Sequence, residues 1–278
     1  MIHIGDYNKL IILRDTEPGL FLGDSEDQEV LLPNRYVPEN FEIGEQIDVF
    51  VYLDNEERLV AVTDHPYIKK GEFALLRCNS VNDIGAFLDW GLVKELFCPF
   101  REQAFPMKIG GWYLVFCYLD ETSDRLVASS KTNRFLDNKE LSVEAFDEVD
   151  LIVSHPSDLG MNVIVNKIHL GLIFNQDLFK DISVGDKLKG IVKKIRPGNK
   201  LDITLDKIGY RNIEPNAQLI LECLLNDKNG FIKLTDKSSP EAIKSMLQMS
   251  KKSFKKAVGT LYKQRRIRIE IDGIYLIT

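Results

Sequence analysis

Three groups of side chains in this 278-residue sequence could act together on a charged strand with flat rings. Phe87 lies in Ile84-Gly85-Ala86-Phe87-Leu88-Asp89-Trp90-Gly91, an alternating run opened and closed by glycines. On a strand, Phe87 and Asp89 share one face, and a ring there gives an unpaired base a stacking surface worth about 1–3 kcal/mol. Asp120 and Arg125 flank a short turn further on, and an arginine can pair with phosphate or stack on a base. Finally, Lys251, Lys252, Lys255, Lys256, Lys263, Arg265, Arg266 and Arg268 fall in a stretch from Lys244 to Arg268 with nine basic residues and no acidic one. Neutralising phosphates with such a face releases counterions, which makes binding effective and salt-sensitive. Each group also has a plainer reading. Phe87 could be an ordinary core ring, Asp120 with Arg125 a surface turn pair, and the lysines a solubilising helix face. Phe97 and Trp112 are expected in the core.

Enzymatic chemistry finds no comparable pattern. The sequence has no Gly-x-x-x-x-Gly-Lys loop, no His-Glu-x-x-His and no paired Cys/His metal spacing. No catalytic residue, metal or cofactor is therefore expected. His3, His65, His155 and His169 are isolated, and His155-Pro156-Ser157-Asp158 reads as a turn, since a triad is a spatial arrangement. Two-metal phosphodiester cleavage needs clustered carboxylates, whereas the acids of residues 1–66 are spread along strand edges and loops. Cys78, Cys98, Cys117 and Cys223 form no C-x-x-C pair and read as buried free thiols in a reducing compartment, the cytoplasm by default. Composition is that of an ordinary globular protein, with 44% hydrophobic and 28% charged residues. No apolar run approaches the ~18 residues of a membrane span, the start lacks a basic region before an apolar one, and no membrane partner is expected.

The elements that must position these residues recur along the chain. Ile43-Gly44 with Val49-Phe50-Val51-Tyr52-Leu53-Asp54 matches Ile109-Gly110 with Val115-Phe116-Cys117-Tyr118-Leu119-Asp120, 66 residues later. Arg58-Leu59-Val60-Ala61 then matches Arg125-Leu126-Val127-Ala128. Upstream, Gly19-Leu20-Phe21-Leu22-Gly23 stands where Gly85-Ala86-Phe87-Leu88 stands, and Val30-Leu31-Leu32-Pro33 where Leu96-Phe97-Cys98-Pro99 does. A looser third copy runs through Gly160–Val165, Gly171–Phe174, Val184–Leu188 and Lys200–Leu205. About five short strands per copy, with glycine-marked turns, predict small closed barrels such as OB-folds. The polar stretch Asp137–Asp150 links the second and third copies and leaves room for a helical turn.

With Gly-Ala-Phe-apolar-Asp, an apolar-Gly-x-x-apolar strand, the acid Asp120 and Arg125-Leu126-Val127-Ala128-Ser129, the second copy resembles the S1 RNA-binding domain, an OB-fold barrel. That resemblance implies RNA binding through Phe87, Asp120 and Arg125. It also sets Ile84 where a second stacking aromatic is usual and Cys98 where a histidine is usual. The first copy keeps Phe21, Asp54 and Arg58. In the third, Val163 replaces the aromatic, Arg196 stands near the acid's place, and any RNA role rests on Lys193, Lys194, Arg196 and Lys200.

The last segment changes character. Ala217–Leu225 reads as a helix, followed by an Asn-Asp-Lys-Asn-Gly turn and a short strand at Phe231–Leu234. Ser239-Pro240 and Ser250 start two further helices, the second with a Phe254, Val258, Leu261 stripe opposite the lysines. Ile267–Ile271 and Gly273–Leu276 form a hairpin around Asp272-Gly273. The order is that of a winged helix-turn-helix.

The fold expected is mainly β: S1-like barrels at 1–66, 67–136 and 137–212, then an α+β winged-helix domain at 213–278. This order, with Asp-Lys-Ser-Ser-Pro at 236–240, resembles the bacterial conserved virulence factor B family. The resemblance implies a cytoplasmic RNA-binding protein that influences gene expression after transcription. Charge divides unevenly over the four segments: 4 basic and 15 acidic residues, then 9 and 8, then 11 and 12, then 12 and 7. The acidic first barrel repels polyanions and reads as a packing or protein-contact module. Single-stranded RNA at the second barrel and the basic winged helix is the expected partner. The alternative is a transcription regulator whose winged helix reads duplex DNA.

Overall fold

The computed structural model describes residues 1–24, 26–178, 181–205, 215–227, 230–235, 237–263 and 265–277. It divides into two compact units, Met1–Ile203 and Thr204–Thr278. The segment boundary expected at 212–213 lies outside the described residues, as do Asp236 of the Asp-Lys-Ser-Ser-Pro run and two residues of the turn expected at 226–230.

The first unit holds three five-stranded closed barrels. Strands β1 (Tyr7–Thr16), β2 (Gly19–Gly23), β3 (Glu29–Pro33), β4 (Gln46–Leu53) and β5 (Leu59–Val62) form the first. The second comprises β6 (Phe73–Val81), β7 (Gly85–Asp89), β8 (Leu96–Pro99), β9 (Trp112–Asp120) and β10 (Arg125–Ser129). The third comprises β11 (Glu148–Ser157), β12 (Gly160–Val165), β13 (His169–Phe174), β14 (Lys187–Arg196) and β15 (Lys200–Thr204). In each, the first strand pairs antiparallel with the second and fourth, and the third meets the fifth in parallel, at Leu31 with Val60, Phe97 with Val127, and Gly171 with Leu201.

A close backbone approach explains the glycine that opens each second strand. A Cβ on Gly85 would lie 2.5 Å from the Cys98 carbonyl oxygen and 2.8 Å from Pro99 Cα. Gly19 meets Leu32 and Pro33 in the same way, and Gly160 meets Ile173 and Phe174. The strand before each glycine carries an irregularity in register, at Ile12/Arg14, Cys78/Ser80 and Val153/Pro156. Bulges of this kind bend a strand and raise its twist, which short strands need in order to close a barrel.

Barrels one and two share one hydrophobic core that includes Leu10, Phe50, Val51, Leu76, Leu88 and Val115. Trp90 wedges between them, edge-on to Phe50 at 5.8 Å and to Tyr52 at 5.9 Å. Its indole donates to the Lys94 carbonyl, and Lys94 Nζ in turn donates to the carbonyls of Leu53 (2.7 Å) and Asp54 (2.8 Å). Burial pushes the Lys94 ammonium below the usual lysine range. Barrels two and three meet through Phe73, Leu114, Ile152 and Ile164, with Phe116 stacked on Phe135 at 4.2 Å. The linker after Phe135 forms no helical turn. Asn138 instead pins it, donating to the carbonyls of Leu170 (2.9 Å) and Asn199 (2.8 Å), while buried His169 holds Asp137 and Ser142. His155 and Pro156 belong to β11 rather than to a turn, because the chain reverses one step later at Asp158 and Leu159.

In the second unit the order is α1 (Pro215–Asn226), β16 (Phe231–Ile232), α2 (Pro240–Leu247), α3 (Lys251–Lys263), β17 (Ile267–Ile269) and β18 (Ile274–Leu276), with sheet order β16-β18-β17. Ser239 Oγ accepts from the Ala242 N–H at 3.2 Å and Ser250 Oγ from the Ser253 N–H at 3.1 Å, so both expected caps form. Leu221, Leu224, Ile243, Phe254, Leu261 and Ile274 make a separate core. This is the winged-helix arrangement.

Three cysteines are buried, but Cys223 is exposed on α1, contrary to the expectation that all four thiols are buried. The helix there turns alternate faces to solvent, and Cys223 follows buried Leu221 and precedes buried Leu224. Burial pushes the Cys98 and Cys117 thiols up to about 12. A thiol reagent at neutral pH should therefore modify Cys223 alone in the folded protein and all four cysteines in denaturant. Rapid modification of a second thiol under native conditions would contradict this packing.

Candidate nucleic-acid interface

Alternation along β7 decides what Phe87 does. Ala86 and Leu88 are fully buried inside the second barrel, so Phe87 and Asp89 point outward and are half-buried. In β8 the pattern repeats: Leu96 and Cys98 face the core and Phe97 faces out. Phe87 and Phe97 are opposite each other across the ladder, with ring centroids 5.1 Å apart. Phe97 is thus not a core residue, contrary to expectation, because Leu96 and Cys98 take the inward positions. Trp112 is not core either. It opens β9 at the barrel's edge and is 61% exposed.

The two rings line a surface cleft of about 850 Å³ together with Ile84, Arg101, Asp120 and Arg125. Asp120 ends β9 opposite Arg125, which begins β10. Ser123 Oγ donates to Asp120 at 2.8 Å, and the Arg101 guanidinium stands 3.5 Å away. Arg125 pairs with Glu57, a residue of the first barrel's β4–β5 turn. The three residues picked in the second barrel, Phe87, Asp120 and Arg125, therefore come together. Sequence reasoning missed Arg101 and Glu57 and misplaced Phe97, although strict alternation in Leu96-Phe97-Cys98 carried the signal for the last.

The other barrels carry the same position in a different state. Phe21 occupies it in the first, opposite Leu31, but the Arg14 guanidinium covers its ring at 4.2 Å. That guanidinium is held by a two-pronged bond to Glu29, at 2.7 and 2.6 Å. In the third barrel the register places Asn162, opposite Leu172, at the counterpart of Phe87. Val163 was expected there, but it faces inward and is fully buried. Asn162 Nδ2 donates to the His155 carbonyl at 3.1 Å. Of the third barrel's cations, Lys193 Nζ bonds both Asp177 oxygens (2.9 and 2.8 Å), and Arg196 bonds Asp202 (2.7 Å) and lies 5.3 Å over Phe174. Lys194 and Lys200 are exposed. Among the described residues no cation lies over the Phe87 or Phe97 ring.

In the second unit, α3 buries Phe254, Ala257, Val258 and Leu261 and turns Lys252, Lys255, Lys256 and Lys263 to solvent. Lys251 and Arg266 are half-buried, whereas Arg265 and Arg268 are exposed. Arg268 lies 4.7 Å over Tyr275, whose ring rests 4.6 Å from Phe231. Among the described residues no group of three or more His, Cys, Asp or Glu is placed to hold a metal ion, and no helix is long and apolar enough to cross a membrane.

A model of the S1 domain matches residues 4–64, and one described as the CvfB-like winged helix domain matches residues 218–276. This chain is similar to the conserved virulence factor B proteins over most of its length. The protein of that name in Staphylococcus epidermidis strain ATCC 12228 is 26% identical over 254 residues, covering 86% of this chain and 82% of its own. Conserved virulence factor B of Staphylococcus aureus strain USA300 is 25% identical over 86% and 81%. The uncharacterized protein YitL of Bacillus subtilis is 28% identical over 98% and 93%. A crystal structure of a Streptococcus pneumoniae protein described as multidomain with nucleic acid binding domains aligns over 99% of this chain and 98% of its own, with 24% identity and a TM-score of 0.49. The S1 model falls on the acidic first barrel, where Phe21 is covered, and not on the second. Both domain types are nucleic-acid-binding types.

The Glu57–Arg125 pair sets an anion of the protein itself against the cleft's arginine. Exposed pairs of this kind contribute roughly 0.2–1 kcal/mol. Glu57→Gln should therefore raise affinity for a short anionic strand by up to about fivefold at low salt. Fluorescence anisotropy with a labelled oligonucleotide measures this. Unchanged affinity would make the pair a lock between barrels and nothing more.

Proposed function

We propose that this protein is a non-enzymatic, cytoplasmic RNA-binding protein that takes single-stranded RNA on the second barrel and on the basic face of the winged helix, and acts on gene expression after transcription. The observation that carries this reading is the uncovered Phe87–Phe97 pair in a cleft with Arg101 and Arg125. Two tilted rings on the outside of a barrel strand offer stacking surface to any base, and the neighbouring guanidiniums suit the phosphates between bases. The winged helix adds charge. Its lysines contribute affinity without sequence information, as phosphate contacts do.

The first barrel supports this work without binding RNA. Its net charge of −11 repels polyanions, its outward ring is occupied by Arg14, and its core is continuous with that of the second barrel. Its remaining acidic surface suits a protein partner. Duplex DNA is the competing ligand. The described part of α3 offers no Asn or Gln to read bases, and Gln264 lies outside the described residues.

Titration of a labelled single-stranded RNA separates the two contributions. Phe87→Ala should lose on the order of 1–3 kcal/mol of binding with little change in salt slope, because stacking releases no counterions. Its half-exposed position should keep its cost in stability below the ~3–5 kcal/mol typical of a core phenylalanine. Lys252→Ala with Lys255→Ala should lower the salt slope by about 1.4 if both meet phosphates of one strand. No binding by the wild-type chain, or preference for duplex DNA of matched length, would overturn the proposal.

A further inference from the structure

A second groove lies where the second and third barrels meet. Its volume is about 530 Å³, and Phe105, Trp112, Tyr113, Lys131, Arg134 and His155 line it. Phe105 is 74% and Trp112 61% exposed, an unusual amount of ring surface for two neighbouring residues. Such rings are expensive to leave in water, so a contiguous exposed patch of them marks an interaction site. The floor is firm. Leu114, two residues after Trp112, belongs to the Phe73–Ile152–Ile164 cluster that joins the barrels.

Charge identifies the occupant. Among the described residues no carboxylate lines this groove, in a chain of net charge −6, whereas Asp89, Glu95 and Asp120 all line the first cleft. Lys131 and Arg134 stand at its edge and are exposed. Lys131 Nζ donates to the Arg101 carbonyl at 2.7 Å, and Arg134 meets buried Glu102 through Nη1 at 2.8 Å, so both ammonium and guanidinium are held in place beside the rings. Rings for stacking, fixed cations and an absence of lining acids match a nucleobase with its phosphate better than an apolar peptide, which has no use for the cations.

We infer that this groove binds bases of the same RNA strand that occupies the Phe87 cleft, with Trp112 and Phe105 as stacking surfaces. The inference rests on the RNA-binding reading above and extends the RNA path across barrel two. Arg101 lines the first cleft and Phe105 the second, and four residues of chain span at most about 14 Å, so a few nucleotides bridge them. Phe100, half-exposed in the connecting turn, lies on that path.

Trp112 reports on itself. The chain has two tryptophans, and the other, Trp90, is 2% exposed in the core. Oligouridylates of about four and about twelve nucleotides, lengths within the range an OB-fold barrel occupies, are titrated against the full chain. The longer one should quench tryptophan emission and shield it from acrylamide; Trp112→Phe should bind it normally with no quenching. Trp112→Ala, and separately Phe105→Ala, should weaken the longer oligonucleotide about tenfold and the shorter less than twofold. Phe87→Ala should weaken both. If the longer strand binds in a Phe87-dependent manner without quenching, and Trp112→Ala binds it like wild type, the groove serves another ligand, such as a peptide, and the inference fails while the RNA reading stands. If neither oligonucleotide binds the wild-type chain, it is the RNA reading that fails, and the inference with it.

Discussion

Everything in the first unit depends on how closely the second strand of each barrel approaches the end of the third. At Gly19, Gly85 and Gly160 no Cβ fits, because a carbonyl oxygen and the next Cα occupy its place. The approach lets a five-residue strand curl tightly enough for the barrel to close. It also sets which side chains face out. With the glycine fixed, the residue two positions on is always on the outside, whether it is Phe21, Phe87 or Asn162. A constraint of chain packing thereby defines the outward position at which the three barrels differ.

That position shows three outcomes on one scaffold. In the first barrel a guanidinium clamped by Glu29 lies over the ring, and in the third the ring is replaced by an amide that bonds the backbone. Only in the second, among the described residues, is the ring open and joined by another. Arg14 covers from within the protein, by cation–π attraction, the ring face that on Phe87 stays open. The repeats differ in how this outward face is occupied more than in its framework.

Trp90 ties this divergence into one body. Edge-on contacts to Phe50 and Tyr52, and the Lys94 bonds to the first barrel's carbonyls, bring the acidic β4–β5 turn beside the second barrel's cleft. Glu57 reaches Arg125 for that reason. An acidic domain is thereby locked next to a cleft lined by both acids and cations, with a carboxylate already on one of its arginines. The winged helix differs in charge, since no acid falls within Lys244–Arg268.

The sequence by itself determined the barrel number, the second to fifth strands of each repeat, both serine caps and the winged-helix order. These rest on local signals: periodicity, glycine and proline placement, and capping chemistry act over a few residues and are written in the chain. It also brought Phe87, Asp120 and Arg125 to one site through a repeat and a family resemblance. Tertiary structure alone decided which rings are open. Phe97 and Trp112 read as core because bulky aromatics usually pack, yet a neighbour's alternation and a strand's first position at a barrel edge turned them outward. Asn162 rather than Val163 fills the third copy's site because ladder register, not spacing from a loosely matched motif, assigns a face. The Arg14 cover, the Glu57 intrusion and the groove at Trp112 join residues from 7 to 68 positions apart or from two barrels. Such pairings exist only once the barrels have closed and packed, since nothing local in the chain specifies which charge will reach which ring.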